Sequence, residues 1–333
     1  MELSAIFKPS PLTYVLAAGN RAMIKMSVNS SALAQLMSAT FPNYFDESKI
    51  KIYADLEGGL GRVFSEQPFN HLIFTGSAAT GSMVMAAASK NLCPVTLELG
   101  GKSPALLCPD FPLKTAMERI LYAKFANAGQ ICVTVDHVYL PHTSLNEAVA
   151  LAKEIVSHRY PTLDAPDYTS IISPERFEAL IAMLQEAKAK GATVIPLIDG
   201  PAWDAGTHKI PPHVVLNAPE NCKLMQEEIF GPILPMVTYN EVQEAVAAIQ
   251  RRDGTPLAFY PFTLDKKLAH HVIEQIPSGG VSVNDCIYHV AQHDMPFGGM
   301  GSSGMGHYHG HEGFVSFSKL RPIFIKLGFH LQN

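Results

Sequence analysis

The chain has 333 residues, of which 47% are hydrophobic and 17% charged, so it is not a disordered chain and has material for a large core in about two domains. A formal net charge of −5 leaves no basic excess for nucleic-acid binding. No apolar run approaches about 18 residues, which argues against a membrane-spanning helix. The 5 cysteines include no C-x-x-C pair, which favours a reducing, cytoplasmic location over a disulfide framework.

Strand and helix patterns alternate along the chain. Strands are predicted, in order, over 22–25, 49–54, 71–76, 95–99, 137–141, 192–198, 213–217, 232–239, 257–263 and 279–285. Helices are predicted over 12–20, 30–41, 78–90, 113–129, 145–157, 174–190, 241–251 and 265–275. This alternation is typical of an α/β fold with an open, mainly parallel sheet. The apolar tail over 314–329 predicts an edge strand that pairs with another segment or subunit.

Two side chains in this pattern are candidates for chemistry. Glu98 lies inside the apolar run VTLEL, where a carboxylate is costly unless it is paired or has a raised pKa. A pKa raised toward neutrality suits a general base, and a solvent-facing strand residue is the alternative. Cys132 follows the helix 113–129 in a small-residue turn, where backbone N–H groups can lower the pKa of an exposed thiol and bind an oxyanion. The alternative for Cys132 is burial in the core, which is expected of the other cysteines: Cys93, Cys108, Cys222 and Cys286.

Two further segments are suited to nucleotide binding. The segment FTGSAATG, 74–81, places Gly76 and Ser77 between a strand and a helix, where backbone N–H groups and a helix N-terminus suit a phosphate. The segment EEIFGP, 227–232, places two carboxylates beside an aromatic residue and a Gly-Pro turn. One of these carboxylates is suited to ribose hydroxyls, and an ordinary acidic turn is the alternative.

The segment 295–314 is dense in glycine, which allows a close approach of the backbone to a ligand. His307, His309 and His311 alternate within it and would share one face of a strand. No cysteine or carboxylate completes a set of ligands, so no metal site is predicted.

In combination, these segments resemble the aldehyde dehydrogenase superfamily. The matching motifs, in order, are FTGS at 74–77, LELGGKSP at 97–104, GQIC at 129–132, EEIFGP at 227–232 and PFGG at 296–299. The resemblance covers nearly the whole chain, and DYTSII, PSGGVSVND, HVAQ and YHGHEGF are most similar to the coniferyl-aldehyde dehydrogenase branch. It implies an α/β fold with a nucleotide-binding sheet, incomplete at its N-terminus, within residues 1–99. A catalytic α/β domain over 100–313 and an oligomerisation strand over 314–333 are implied to follow.

The resemblance also implies a role for each matching residue. Cys132 attacks the aldehyde carbon, its backbone N–H contributes to the oxyanion site, and Glu98 activates the water that hydrolyses the thioester. NAD or NADP accepts the hydride, and the substrate is an aromatic or long aldehyde. A homodimer or higher homo-oligomer is implied as well. Asn284 is implied to brace the active-site loop, and the residues implied in cofactor binding are Lys25, Gly76, Ser77, Leu99, Glu228 and Phe230.

Two departures from the family pattern leave alternatives open. The family has a portion N-terminal to the segment that matches PLTYVLAAGN, with an oxyanion-donating asparagine that AIFKPSPL, 5–12, does not contain. Val28 stands where the family often has a ribose-binding glutamate, which weakens the expected preference for NAD over NADP. The alternatives are a truncated, catalytically impaired aldehyde dehydrogenase fragment, and a thiol-dependent esterase that needs Cys132 and Glu98 but no cofactor.

Overall fold

The structure is a computed structural model that describes residues 9–252 and 254–326. Strands β1 to β12 span Ala22–Lys25, Ile50–Tyr53, Leu72–Thr75, Val95–Glu98, Pro104–Leu107, His137–Pro141, Thr193–Pro196, His213–Leu216, Ile233–Tyr239, Ala258–Phe262, Gly280–Val281 and Gly304–Met305. Helices α1 to α12 span Pro9–Ala17, Ser31–Thr40, Leu60–Ser65, Ala78–Ser89, Leu113–Phe125, Leu145–Arg159, Pro174–Ala189, Lys223–Gln226, Val242–Gln250, Lys266–Gln275, Tyr288–Ala291 and Gly310–Ser316. The predicted α/β class with a mainly parallel sheet is confirmed.

A seven-stranded sheet organises the chain after residue 103. Its strand order is β11-β10-β5-β6-β9-β8-β7, and every neighbouring pair is parallel except β7 with β8. Strands β5, β6 and β10 are buried along their whole length because helices cover both faces. One face packs against α5, α6 and α7, with Leu107 on the sheet side. The other face packs against α9 and α10, with Leu106 on the sheet side.

Two smaller sheets contain the strands before residue 99. Strands β1 and β2 pair in parallel, and so do β3 and β4. Strand β12 returns from the far end of the chain and adds antiparallel to β4, with Gly304 opposite Glu98. The predicted boundary at residue 99 lies between β4 and the first strand of the large sheet, although β12 crosses it. The division into two domains stays a prediction.

Several elements differ from the sequence prediction, which contains no strand at β5 or β12 and no helix at α8, α11 or α12. The helix predicted over 113–129 ends at Phe125, because the next residues turn into left-handed backbone conformations. Helix α3 was not predicted, since its six residues are too few to show a period. The strand predicted over 279–285 is limited to Gly280–Val281.

Over its described residues, 314–326, the tail forms no strand. Residues 314–316 end α12, so the strand prediction is wrong there. The described residues 317–326 pair with no strand, and 327–329 lie outside the described residues. A strand that forms only against a second subunit stays a prediction. Among the helices that the structure describes, none has both the length and the apolar character to cross a membrane.

Candidate active site

Cys132 lies on the loop that joins α5 to β6. Asn127 and Ala128 adopt left-handed conformations, with φ of 52° and 51°, and turn the chain sharply after the helix. The loop is anchored by Gln130, whose side-chain amide donates to the Ser170 carbonyl oxygen at 3.0 Å. The candidate nucleophile is therefore held on a defined turn.

The Cys132 thiol is less acidic than the sequence analysis predicts. Burial raises its pKa to about 12, and the charges of Glu228 and Glu98 add to the increase. The backbone N–H groups of Val133 and of Cys132 itself lower the pKa, as predicted, but they do not outweigh burial. The remaining cysteines are buried, as expected: Cys93, Cys108, Cys222 and Cys286.

Glu98, the last residue of β4, is only 3% exposed, which excludes the solvent-facing alternative. Neither of its carboxyl oxygens has a hydrogen-bond partner among the described residues. Burial raises its pKa to about 9, so the predicted upward shift is confirmed and is larger than expected. Backbone pairing keeps the residue in place, since its carbonyl oxygen accepts the Gly76 N–H at 3.0 Å. The site thus contains a buried acid that is available to a ligand.

Glu228 lies between α8 and β9, half-buried against the glycines that follow β4. Its carboxylate occupies the space beside Gly100, where an added Cβ would be 2.0 Å from Oε2, and the Gly101 N–H hydrogen-bonds it. Burial raises its pKa to about 7, and the charge of Asp136 adds to the increase. Phe230 follows with a left-handed φ of 42°. The two glycines therefore allow the carboxylate to reach the end of β4.

Charged side chains that the sequence analysis did not single out hold the loop 227–231. Lys102 donates to Asp136 Oδ1 at 2.5 Å and, like Arg176, to backbone carbonyl oxygens in or next to this loop. Asp136 accepts the Ile229 N–H at 2.9 Å through its other oxygen. Lys102 belongs to the GGKSP motif and Asp136 closely follows GQIC, so their positions in or near these motifs could have marked both residues as part of the site. Their contact joins residues 34 positions apart, which no local pattern indicates.

Lys124, near the end of α5, is a second group that the sequence analysis missed. It is fully buried, and its Nζ has no hydrogen-bond partner among the described residues. Burial lowers its pKa to about 7, whereas the charges of Asp136 and Glu228 act to raise it. No sequence signal predicts its burial, because lysine is normally exposed.

Lys25, the last residue of β1, has an acidic partner. Its ammonium donates to Asp55 Oδ2 at 2.8 Å and to the Met26 carbonyl oxygen at 3.0 Å. Asp55 follows β2, and its second oxygen accepts the Leu60 N–H at 3.2 Å. The carboxyl ends of parallel strands are the usual ligand-binding edge of an α/β sheet. Lys25 therefore lies at a suitable edge, but with a partner that the sequence analysis did not predict.

The turn between β3 and α4 contains the predicted phosphate-binding residues. Ser77 caps α4, and its Oγ accepts an N–H of the first turn. The Gly76 N–H bonds to the Glu98 carbonyl oxygen, so it is not available to a phosphate; the first-turn N–H groups of α4 are the remaining donors. The Leu99 side chain lies 2.7 Å from the position of a Cβ at Gly81, which fits α4 closely against the end of β4.

Asn284 and Tyr308 complete the surroundings. Asn284 has a left-handed φ of 63°, and its Oδ1 accepts the Thr263 N–H at 2.8 Å, which joins the chain after β11 to the end of β10. Its predicted bracing of the active-site loop stays a prediction. Burial raises the pKa of Tyr308, and the charges of Glu98 and Cys132 add to this, which places the phenol near both groups.

The three histidines do not lie on a strand, so the shared face that a strand would give them does not form. His309 is buried with φ of 92°, directly before α12. His307 and His311 line a cavity of about 460 Å³ next to the glycine-dense segment. Within the described ranges, no three His, Cys, Asp or Glu side chains are grouped to hold a metal ion.

The site combines a buried glutamate and a cysteine in an α/β fold, which is the class of protein that the motifs predict. Comparison with known proteins gives the family. The model of the aldehyde dehydrogenase family matches residues 10–323. The chain is 46% identical to a probable coniferyl aldehyde dehydrogenase of Pseudomonas aeruginosa, over 96% of this chain and 66% of the relative. It is 42% identical to the coniferyl aldehyde dehydrogenase of a Pseudomonas species, over 95% of this chain and 66% of the relative.

Solved structures agree. The substrate-bound state of Staphylococcus aureus AldH is similar with a TM-score of 0.87 and 34% identity, over 97% of this chain and 70% of that one. An aldehyde dehydrogenase of Mycobacterium tuberculosis complexed with NAD⁺ is similar with a TM-score of 0.82 and 25% identity, over 96% of this chain and 66% of that one. An NADP complex of a glyceraldehyde-3-phosphate dehydrogenase of Bacillus halodurans is similar with a TM-score of 0.81 and 25% identity, over 91% of this chain and 63% of that one.

The chain belongs to the aldehyde dehydrogenase family. It spans 66% of the length of the two coniferyl aldehyde dehydrogenases that it matches. The resemblance inferred from the motifs, including the branch, is therefore confirmed at the level of the sequence.

Proposed function

We propose that this chain oxidises an aldehyde to the carboxylic acid, with Cys132 as nucleophile, Glu98 as general base and NAD(P)⁺ as hydride acceptor. The observation that carries the proposal is the Glu98 carboxyl group, which is buried, unpartnered among the described residues, and close enough for its charge to raise the Cys132 pKa. A buried carboxyl group without a partner is destabilising, so its presence beside a cysteine favours a catalytic role.

The side chains divide the reaction into two steps. The Cys132 thiol first gives its proton to the ionised form of Glu98, which passes it on to water. The thiolate then forms a bond to the carbonyl carbon, and the carbonyl electron pair moves to the oxygen near the Cys132 backbone N–H. When bound, NAD(P)⁺ supplies the hydride acceptor that this oxidation needs. Glu98, in its ionised form, then takes a proton from a water molecule as the water oxygen attacks the thioester carbon. The carbon–sulfur bond breaks, which releases the acid and regenerates the thiolate.

The residues present fit a nicotinamide dinucleotide. Asp55 and the Met26 carbonyl oxygen occupy two of the three Lys25 donors, so one remains for a ribose hydroxyl. The Glu228 carboxylate is positioned by the space beside Gly100. The residues that we assign to the cofactor are Lys25, Ser77, Leu99, Glu228 and Phe230, with Gly76 shaping the turn rather than donating to a phosphate.

An aromatic, coniferyl-aldehyde-like substrate is the class that we propose. The two relatives reported above carry the name coniferyl aldehyde dehydrogenase. In this chain the ring of Phe297 packs edge to face on that of Tyr308 at 5.9 Å, and Tyr308 lies near Glu98 and Cys132. An aromatic aldehyde can pack against such a pair of rings.

Assembly and location follow from two further features. The tail exposes Leu320, Ile323, Phe324 and Ile325, each at 71% or more. An exposed apolar segment of this kind supports a homo-oligomer in which the tail packs on a second subunit. The free cysteines support a reducing, cytoplasmic location.

The test is turnover with coniferaldehyde and each cofactor, followed by the absorbance of the reduced cofactor. We expect turnover that disappears in Cys132→Ala and persists in Cys93→Ala, which removes a buried cysteine from a separate cluster. Glu98→Gln should form the thioester but hydrolyse it slowly. Folded protein without turnover would contradict the proposal, and ester hydrolysis without cofactor would favour the esterase alternative.

A further inference from the structure

The Lys25–Asp55 pair changes the charge at the edge where the cofactor is proposed to bind. The Lys25 side chain is 24% exposed, whereas that of Asp55 is 3% exposed, so the carboxylate lies behind the ammonium group. The hydrogen bond from Lys25 lowers the pKa of Asp55, which keeps this carboxyl group ionised at neutral pH. The negative charge of Asp55 therefore offsets the positive charge of the accessible Lys25 ammonium group.

Most of the hydrogen-bond donors of the Lys25 ammonium group are also occupied. An ammonium group has three donors, and Asp55 and the Met26 carbonyl oxygen take two. One donor suffices for a hydroxyl group. A phosphate carries about −1.5 to −2 charges at neutral pH and needs several donors or a net positive charge.

Val28 provides no group that could recognise either a ribose hydroxyl or a phosphate. Val28 is 44% exposed, and one of its methyl groups lies 3.4 Å from the position of a Cβ at Gly58, on the loop that carries Asp55. Its side chain neither accepts from a ribose hydroxyl nor attracts a phosphate. Of these residues, it is therefore the Lys25–Asp55 pair that can discriminate between a ribose hydroxyl and a phosphate.

We infer that the Lys25–Asp55 pair makes this chain select a nucleotide with a free ribose 2′-hydroxyl, and hence NAD⁺ over NADP⁺. The inference rests on the proposed function, because it assumes that the adenosine end of the cofactor meets Lys25. Lys25 contacts the ribose, and Asp55 is a positioning residue that acts through Lys25. Asp55 holds the ammonium group in place and cancels the charge that a 2′-phosphate requires.

The experiment measures binding of two nicotinamide-free probes, adenosine 5′-monophosphate and adenosine 2′,5′-bisphosphate, by calorimetry. In Asp55→Asn we expect the bisphosphate to bind about tenfold more tightly and the monophosphate to change by less than about twofold. Asparagine retains an oxygen for the Leu60 N–H and tolerates the left-handed φ of 46°, so the fold should be preserved. Glu47→Gln is the matched control, because it removes the acidic partner of the exposed Lys51.

The outcomes separate this inference from the proposed function. An unchanged ratio of the two affinities in Asp55→Asn, or a tenfold preference of the unmodified chain for the bisphosphate, overturns the inference alone. If neither probe binds, the proposed cofactor site is overturned and the inference with it. A second measurement needs no variant: the affinities of both probes should fall equally with salt in the unmodified chain, and a steeper fall for the bisphosphate would overturn the inference.

Discussion

Replacing Glu98 with Gln should stabilise the folded chain at neutral pH while it removes the proposed base. Glu98 is 3% exposed and has no hydrogen-bond partner among the described residues. Burial raises its pKa from 4.5 to about 9, so the folded chain binds a proton that the unfolded chain has released. Glutamine has the same shape but never pays the free energy of taking up that proton.

The size of the effect follows from proton linkage. Between pH 4.5 and 9 the unfolded chain binds fewer protons at this residue than the folded chain, so stability falls as pH rises. At pH 7 the penalty is about 3 kcal/mol, since each pH unit above the unfolded pKa of 4.5 contributes about 1.4 kcal/mol. At pH 4.5 it is below about 0.5 kcal/mol. The stabilisation by Glu98→Gln should therefore increase steadily over this range.

Urea unfolding of both chains at several pH values measures the difference. Glu118→Gln, at an exposed position on α5, is the control and should change stability by less than about 0.5 kcal/mol at any pH. A Glu98→Gln chain that is no more stable at pH 7, or that gains the same amount at pH 4.5, would refute the reasoning. The first result would mean that the carboxyl group is ionised and paired in the folded chain, and the second that the gain does not come from its protonation.

Three other changes test the rest of the site. Burial and the charge of Glu228 both raise the Cys132 pKa, so Glu228→Gln should speed alkylation of Cys132 at pH 8 about three- to tenfold, measured by peptide mass spectrometry. An unchanged rate would mean that the Glu228 carboxylate is too far from the thiol to affect its pKa. Asp136→Asn should lower the free energy of unfolding by about 3–5 kcal/mol in urea, because it leaves the Lys102 ammonium group without its anionic partner; a loss below about 1 kcal/mol would contradict this. Gly129→Ala should cost at least about 3 kcal/mol, because φ is 74° and the Cβ would lie 2.3 Å from a backbone oxygen. Gly61→Ala, with nothing within 4 Å, should instead stabilise its helix by up to about 1 kcal/mol, and equal effects would contradict the geometry.

Local patterns were sufficient for the class of fold and for the motifs. Strand and helix periods depend on neighbouring residues, so the sequence predicts most elements within a few residues of their observed ends. The helix before Cys132 was predicted too long because Asn127 and Ala128 continue an acceptable helical composition. Only the surrounding structure, including the bond from Gln130 to the Ser170 carbonyl oxygen, stabilises their left-handed turn.

By itself the sequence determined the α/β class, the aldehyde dehydrogenase family and the identity of Cys132 and Glu98 as candidates. Only the tertiary structure decided their electrostatics, because a pKa depends on burial and on charges that come from distant parts of the chain. Cys132 became a weakly acidic thiol in this way. Lys25 likewise acquired its neutralising partner Asp55 from 30 residues away, because the parallel pairing of β1 and β2 brings their carboxyl ends together.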